Sequence, residues 1–268
     1  MRGIIPAFYC WQVGNIYVVK DVQMCELASV PELHNKTLAV IMPVYNEQAS
    51  VRKVVQEWAF ELDNWLDDFV IIAINDGSKD DSLRVLQRLK NELGNRLYII
   101  DRENRGHGQS CIEGYKIAAD NNIPWVFQID SDGQCDPQYF FRLWRKRDSS
   151  DVVYGIRTQR DDGLKRMIAS MVLRMFILVL FRSWCWDANV PYRMMRSEKI
   201  KKYLDVIPKN FNLANIALSL LLRRDKKMRH GYISIRFRER YGGEPSVKMS
   251  IFGRKAIELH RDISNLLK

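Results

Sequence analysis

Asp130 and Asp132 stand one residue apart near the end of the run WVFQIDSDGQCDP, from Trp125 to Pro137, with Gln134 and Asp136 close behind. In extended chain, residues i and i+2 point to the same side, so both carboxylates can face one site. Oxygen donors so arranged suit a hard divalent cation that keeps positions open for water and substrate phosphates. The structural alternative is a turn, because Asp-Gly is a common turn dipeptide and Asp side chains also cap helices. Three more apolar runs stop in polar clusters: Tyr45-Asn46-Glu47, Asn75-Asp76-Gly77-Ser78 and Asn104-Arg105-Gly106-His107.

The elements that would position these clusters follow from hydrophobic periodicity. TLAVIMPV, FVIIAIND, RLYIID and WVFQID read as strands. Between them, Ala49–Leu62 carries Val51, Val54, Val55, Trp58 and Leu62 at helical spacing, and Ser82–Leu93 carries Leu83, Leu86, Leu89 and Leu93. A third helix is expected over Ser110–Asn121. Strand alternating with helix predicts an α/β fold with a mixed, mostly parallel sheet flanked by helices. In such sheets ligands bind beyond the carboxyl ends of the strands, where the polar clusters fall. Further along, DVVYGIRTQ and YISIRFRER read as strands, and helices are expected around Asn212–Arg223 and over Ser250–Lys268.

The chain has 268 residues, 47% hydrophobic and 28% charged, as in an ordinary globular protein. Its 42 Lys and Arg against 32 Asp and Glu give a net charge of +10, which suits an anionic partner. Nucleic acid is disfavoured as that partner, since the positive charge is spread along the chain and the candidate loops are acidic. The five Cys are scattered with no CxxC pair, so neither a zinc site nor a disulfide framework is indicated. No clean run of roughly 20 apolar residues offers a membrane span. The nearest is the segment 164–186, interrupted by Arg174 and Arg182 and ending in Trp184 and Trp186. Basic residues, an apolar face and edge tryptophans suit a helix lying on a membrane surface. A core helix with snorkelling arginines, or a contact in a homo-oligomer, is the alternative.

In this order and spacing, MPVYNE, INDGSKDDS, NRGHGQS and QIDSDGQ resemble the donor-binding half of family-2 glycosyltransferases with the GT-A (Rossmann-like) fold. DANVPYRMM and RYGGEPSVK are similar to the acceptor half of the branch typified by dolichyl- and polyprenyl-phosphate sugar synthases. The resemblance spans about residues 37–250 and implies one domain: a donor half over 37–155 and an acceptor half over 156–268. The extension 1–36 has no counterpart in it.

The resemblance implies that Pro43, Tyr45 and Glu47 line a nucleoside pocket and that Asp76 bonds the base, although Asn75 replaces the first of two acids. Arg105 and Gly108 would lie along the diphosphate. Asp130 and Asp132 would hold Mg2+ or Mn2+, with Gln134 as an amide ligand. Asp187 opens the acceptor motif, where Pro191-Tyr192-Arg193 stands for the usual Gly-Phe-Arg. Arg193, Arg240, Ser246 and Lys248 would hold phosphate. Asp132, Arg240 and Asp187 are the residues closest to the implied chemistry. That chemistry is an inverting, metal-dependent transfer of a sugar from a UDP- or GDP-linked donor to a polyprenyl phosphate, at the cytoplasmic face of the cell membrane. A glycan or glycolipid hydroxyl is the alternative acceptor, and would require a carboxylate such as Asp187 to remove its proton.

Overall fold

The computed structural model describes residues 10–13, 16–19, 33–159, 190–208 and 214–242. Within them one nine-stranded sheet runs through the molecule. Its strands are β1 (Cys10–Val13), β2 (Ile16–Val19), β3 (Leu38–Val44), β4 (Phe69–Asp76), β5 (Leu97–Arg102), β6 (Trp125–Gln128), β7 (Val152–Gln159), β8 (Arg193–Arg196) and β9 (His230–Arg236). They lie in the order β1-β2-β5-β4-β3-β6-β8-β7-β9. The stretch β2-β5-β4-β3-β6 is parallel, whereas β8 runs against both β6 and β7. The sheet is therefore mixed and mostly parallel, as expected. Part of the 1–36 extension joins it, because β2 pairs with the outer edge of β5 and β1 folds back on β2.

The helices are α1 (Val51–Asp63), α2 (Ser82–Leu93), α3 (His107–Asp120), α4 (Phe140–Lys146), α5 (Ser197–Leu204) and α6 (Ala214–Arg224). Every residue of β3 and β4 is buried, the pattern of parallel strands covered on both faces. Helix α1 presents Val54, Val55, Trp58 and Leu62 to the core. Trp58 is the centre of an aromatic cluster, with Phe127 at 5.2 Å and Tyr192 at 5.9 Å between ring centroids. Helix α3 sits so close that a Cβ on Gly114 would lie 2.3 Å from Ile41 Cγ2.

Strand order reverses beside β3: β4 and β5 follow on one side, while the chain then returns to place β6 on the other. A doubly wound sheet opens a crevice at such a reversal, beyond the strand carboxyl ends. The loops after β3 and β6 meet there.

Candidate active site

The strand-end loops are stitched into one rim by hydrogen bonds. After β3, Asn46 adopts a left-handed backbone (φ 55°), and its amide oxygen accepts from Lys79 N at 2.8 Å. In return Asn46 N donates to Ser78 Oγ, Glu47 N to Ser82 Oγ and Gln48 N to Asp80 Oδ2. The loop after β6 is tied to β3 by Ser131 Oγ, which donates to the Pro43 carbonyl at 2.9 Å. Tyr45 is exposed beside these contacts, and Glu47 is buried.

Asp76 holds the third loop. Its carboxylate accepts the backbone N–H groups of Arg105 at 2.9 Å and Gly106 at 2.8 Å, and ion-pairs with buried Arg102 at 2.7 Å. Arg102 in turn reaches Glu113 at 2.7 Å and Ser110 at 2.8 Å. The expectation that Asp76 bonds a base therefore needs correcting: both oxygens are engaged within the protein, and the residue is only 2% exposed. Asn75 donates to Asp101 Oδ1 at 2.7 Å, joining β4 to β5. Helix α3 begins at His107 rather than Ser110, which places Gly108 in its first turn. Unpaired N–H groups at such a terminus favour anions.

Asp130 and Asp132 lie on the fourth loop. Asp130 Oδ1 is buried with no hydrogen-bond partner among the described residues, 3.8 Å from His107 Nε2, while 31% of the Asp130 side chain stays exposed. His107 is raised above the ordinary imidazole range by neighbouring Cys111, and also by Asp130 and Asp76. Asp132 is pushed up to about 6 by burial first and by the Asp130 charge second. A buried carboxylate that feels a second carboxylate's charge favours a nearby cation.

Arg240 supplies positive charge at the same place. One guanidinium nitrogen bonds Glu47, another stands 4.0 Å from Asp132 Oδ2, and Nε donates to the Gly242 carbonyl at 2.9 Å. Glu47, Asp132 and Arg240, far apart in sequence, thus meet at the crevice. The donor set fits a hard divalent cation as an incomplete cage. No group of three or more His, Cys, Asp or Glu among the described residues could hold a metal alone, so a cation bound here would need oxygens from water or substrate phosphates as well. Gln134 lies at the same turn, its N–H donating to Asp132 Oδ1 at 3.0 Å. Cys135 is buried there as a free thiol whose pKa is driven up by desolvation.

Arg193 is a second correction. It was expected to hold acceptor phosphate, yet it is fully buried beneath α6. Its guanidinium donates to the carbonyls of Val190 and Asn215 and to Ser219 Oγ, at 2.8, 3.1 and 3.0 Å. Asp187, Ser246, Lys248, the segment 164–186 and the expected C-terminal helix lie outside the described residues.

An open mixed sheet with acidic strand-end loops at its crevice is an architecture of the GT-A type. Residues 39–211 match the model of glycosyl transferase family 2, and the chain belongs to that family. It is 30% identical over 141 residues to an uncharacterized glycosyltransferase of Bacillus subtilis, a match covering 51% of this chain and 42% of that protein. It is 28% identical over 144 residues to undecaprenyl-phosphate 4-deoxy-4-formamido-L-arabinose transferase of Salmonella choleraesuis, covering 53% of this chain and 43% of that one. The matched part is thus less than half the length of either relative. Among solved structures, glucosyl-3-phosphoglycerate synthase of Mycobacterium tuberculosis, crystallised with Mn2+ and UDP-glucose, superposes with a TM-score of 0.59 at 15% identity. That superposition covers 93% of this chain and 86% of the neighbour. No helix among the described residues is long and apolar enough to cross a membrane.

Proposed function

We propose that this glycosyltransferase moves a sugar from a UDP- or GDP-linked donor to a polyprenyl phosphate at a membrane face. The observation that carries the donor half is the meeting of Glu47, Asp132 and Arg240 beside Asp130 in the crevice next to β3. Asp130 and Asp132, with Gln134, would hold a divalent cation, Mg2+ or Mn2+, whose Lewis acidity neutralises charge gathering on the leaving diphosphate. Tyr45 and the Pro43 backbone would flank the nucleoside, while Arg105 and the first turn of α3 at Gly108 would face the diphosphate. Arg240 is placed to exchange its carboxylate contacts for phosphate oxygens, adding electrostatic stabilisation where charge develops.

The Salmonella relative, by its name, acts on undecaprenyl phosphate, which supports a lipid-phosphate acceptor. A phosphate is already anionic at neutral pH and attacks without a general base. The net charge of +10 suits both an anionic acceptor and an anionic surface. Ser246 and Lys248 belong to this proposal as acceptor-phosphate contacts. The direct test is transfer from radiolabelled nucleotide-sugars to undecaprenyl phosphate in lipid vesicles. Asp132→Asn is expected to abolish that transfer with no loss of melting temperature, since removing the ionised carboxylate relieves a cost to the fold; full turnover in the variant would refute the cation assignment.

A further inference from the structure

The loop carrying Asp132 is held from outside by a segment that leaves the sheet after β9. Residues 237–242 run across it, and the carbonyls of Asp132, Gly133 and Gln134 are each engaged. Tyr241 N donates to Asp132 O at 3.0 Å, and Arg238 N to Gln134 O at 3.0 Å. Arg238 Nε donates to Gly133 O at 3.2 Å. The Tyr241 ring lies directly on Gly133, where a Cβ would come within 2.4 Å of it. Arg240 projects from the same short strap to Glu47 and toward Asp132.

The strap is anchored by α1. Glu57 accepts from Arg238 Nη2 at 2.8 Å, and the Tyr241 hydroxyl lies 3.0 Å from both of its carboxylate oxygens. Lys53, one turn earlier, stands 3.8 Å from Glu57 and 3.9 Å above the Tyr241 ring. Among the described residues, Glu57 itself bonds none assigned to donor or cation. It acts on residues that do, across 181 positions of sequence to Arg238 and 184 to Tyr241.

We infer that Glu57 is a positioning residue: by clamping Arg238 and Tyr241 it sets the shape of the 132–134 turn and the reach of Arg240, and so the affinity of the site for a cation with its nucleotide. The inference rests on the donor-site reading above for what the turn binds. Its mechanical half, the clamp, stands independently of that reading. A carboxylate suits this place because one residue takes donors from a guanidinium and a phenol together, and such charge-assisted bonds are the stronger kind.

The test combines amide hydrogen exchange with calorimetric binding of UDP and GDP in the presence of Mn2+, on wild type, Glu57→Ala, Glu57→Gln and Tyr241→Phe. Glu57→Ala is expected to speed exchange at the Arg238 and Tyr241 amides and to weaken nucleotide binding about tenfold, the lower end of the loss when a group supporting metal ligands is removed, since Glu57 acts through Arg238 and Tyr241. Glu57→Gln, which keeps an accepting oxygen, should recover part of both losses. If Glu57→Ala exchanges and binds as wild type does, the inference is wrong. Should that variant exchange rapidly everywhere, Tyr241→Phe decides instead, since it leaves the ring on Gly133 and removes only the hydroxyl. A wild type that takes up neither nucleotide would overturn the donor reading, while the exchange pattern would still decide the clamp.

Discussion

At Asp132, burial and the neighbouring Asp130 charge act in the same direction, raising the carboxyl to about 6 from an ordinary 3.8. The folded state thus holds a proton more tightly than the unfolded chain does. Ionised Asp132 therefore costs stability. That cost is absent below about pH 4, grows as pH rises toward 6, and reaches about 3 kcal/mol above it at 1.36 kcal/mol per unit. Compared with Asp132→Asn, which cannot titrate, wild type should lose roughly that much stability between pH 4 and 6.5 in denaturant titrations. Saturating Mn2+ should remove the difference, because a cation stabilises the ionised pair. Equal pH profiles for the two proteins would show that Asp132 is not strained as described. Cation binding should correspondingly release a proton and weaken below about pH 6.

Two glycines distinguish the work of two elements. Gly114 lets α3 settle on β3, where an added methyl group would meet Ile41. Gly114→Ala should therefore cost stability, of order 1–3 kcal/mol for overpacking, with donor affinity little changed in the molecules that remain folded. Gly133 holds a positive φ of 84° under the Tyr241 ring. Gly133→Ala should instead displace the turn and cut Mn2+-dependent nucleotide binding, with a smaller effect on melting. If the two variants showed the same balance of losses, the division between scaffold and site would be wrong. The main strands and helices were legible because their apolar residues repeat at the period of each element, as Val51, Val54, Val55 and Trp58 do on α1. Strands β1, β2 and β8 and helices α4 and α5 were missed: the strands have four residues each, β8 being fixed by its pairing with β6 and β7, and α5 shows its apolar face only at Ile200 and Leu204. The clamp was illegible for a related reason. Glu57 looks like an ordinary exposed helix acid until residues some 180 positions later arrive beside it.

Across the molecule, the convergence of the strand-end loops was readable from the sequence, since topology alone brings parallel strand tips to one rim. Arg193 was misread because a motif match says nothing about burial, and Asp76 because its carboxylate turned out to serve backbone amides. The proposed acceptor half rests on residues outside those described, and a substitution at Asp187 would discriminate between acceptor classes. A lipid-phosphate acceptor needs no proton removed, so Asp187→Asn should retain a substantial fraction of transfer to undecaprenyl phosphate. A hydroxyl acceptor would need the carboxylate, and losing general-base catalysis typically costs 10²–10⁴-fold, to order of magnitude. A loss on that scale with undecaprenyl phosphate would move the assignment to the hydroxyl class.

The most direct measurement of the central claim is titration calorimetry of UDP and GDP into the full chain, with and without Mn2+, repeated on Asp132→Asn. The account predicts uptake of at least one nucleotide that strengthens at least tenfold with Mn2+, in line with a metal bridging protein and phosphate, and loses that enhancement in the variant. Binding of neither nucleotide, or an equal Mn2+ effect in both proteins, would contradict it.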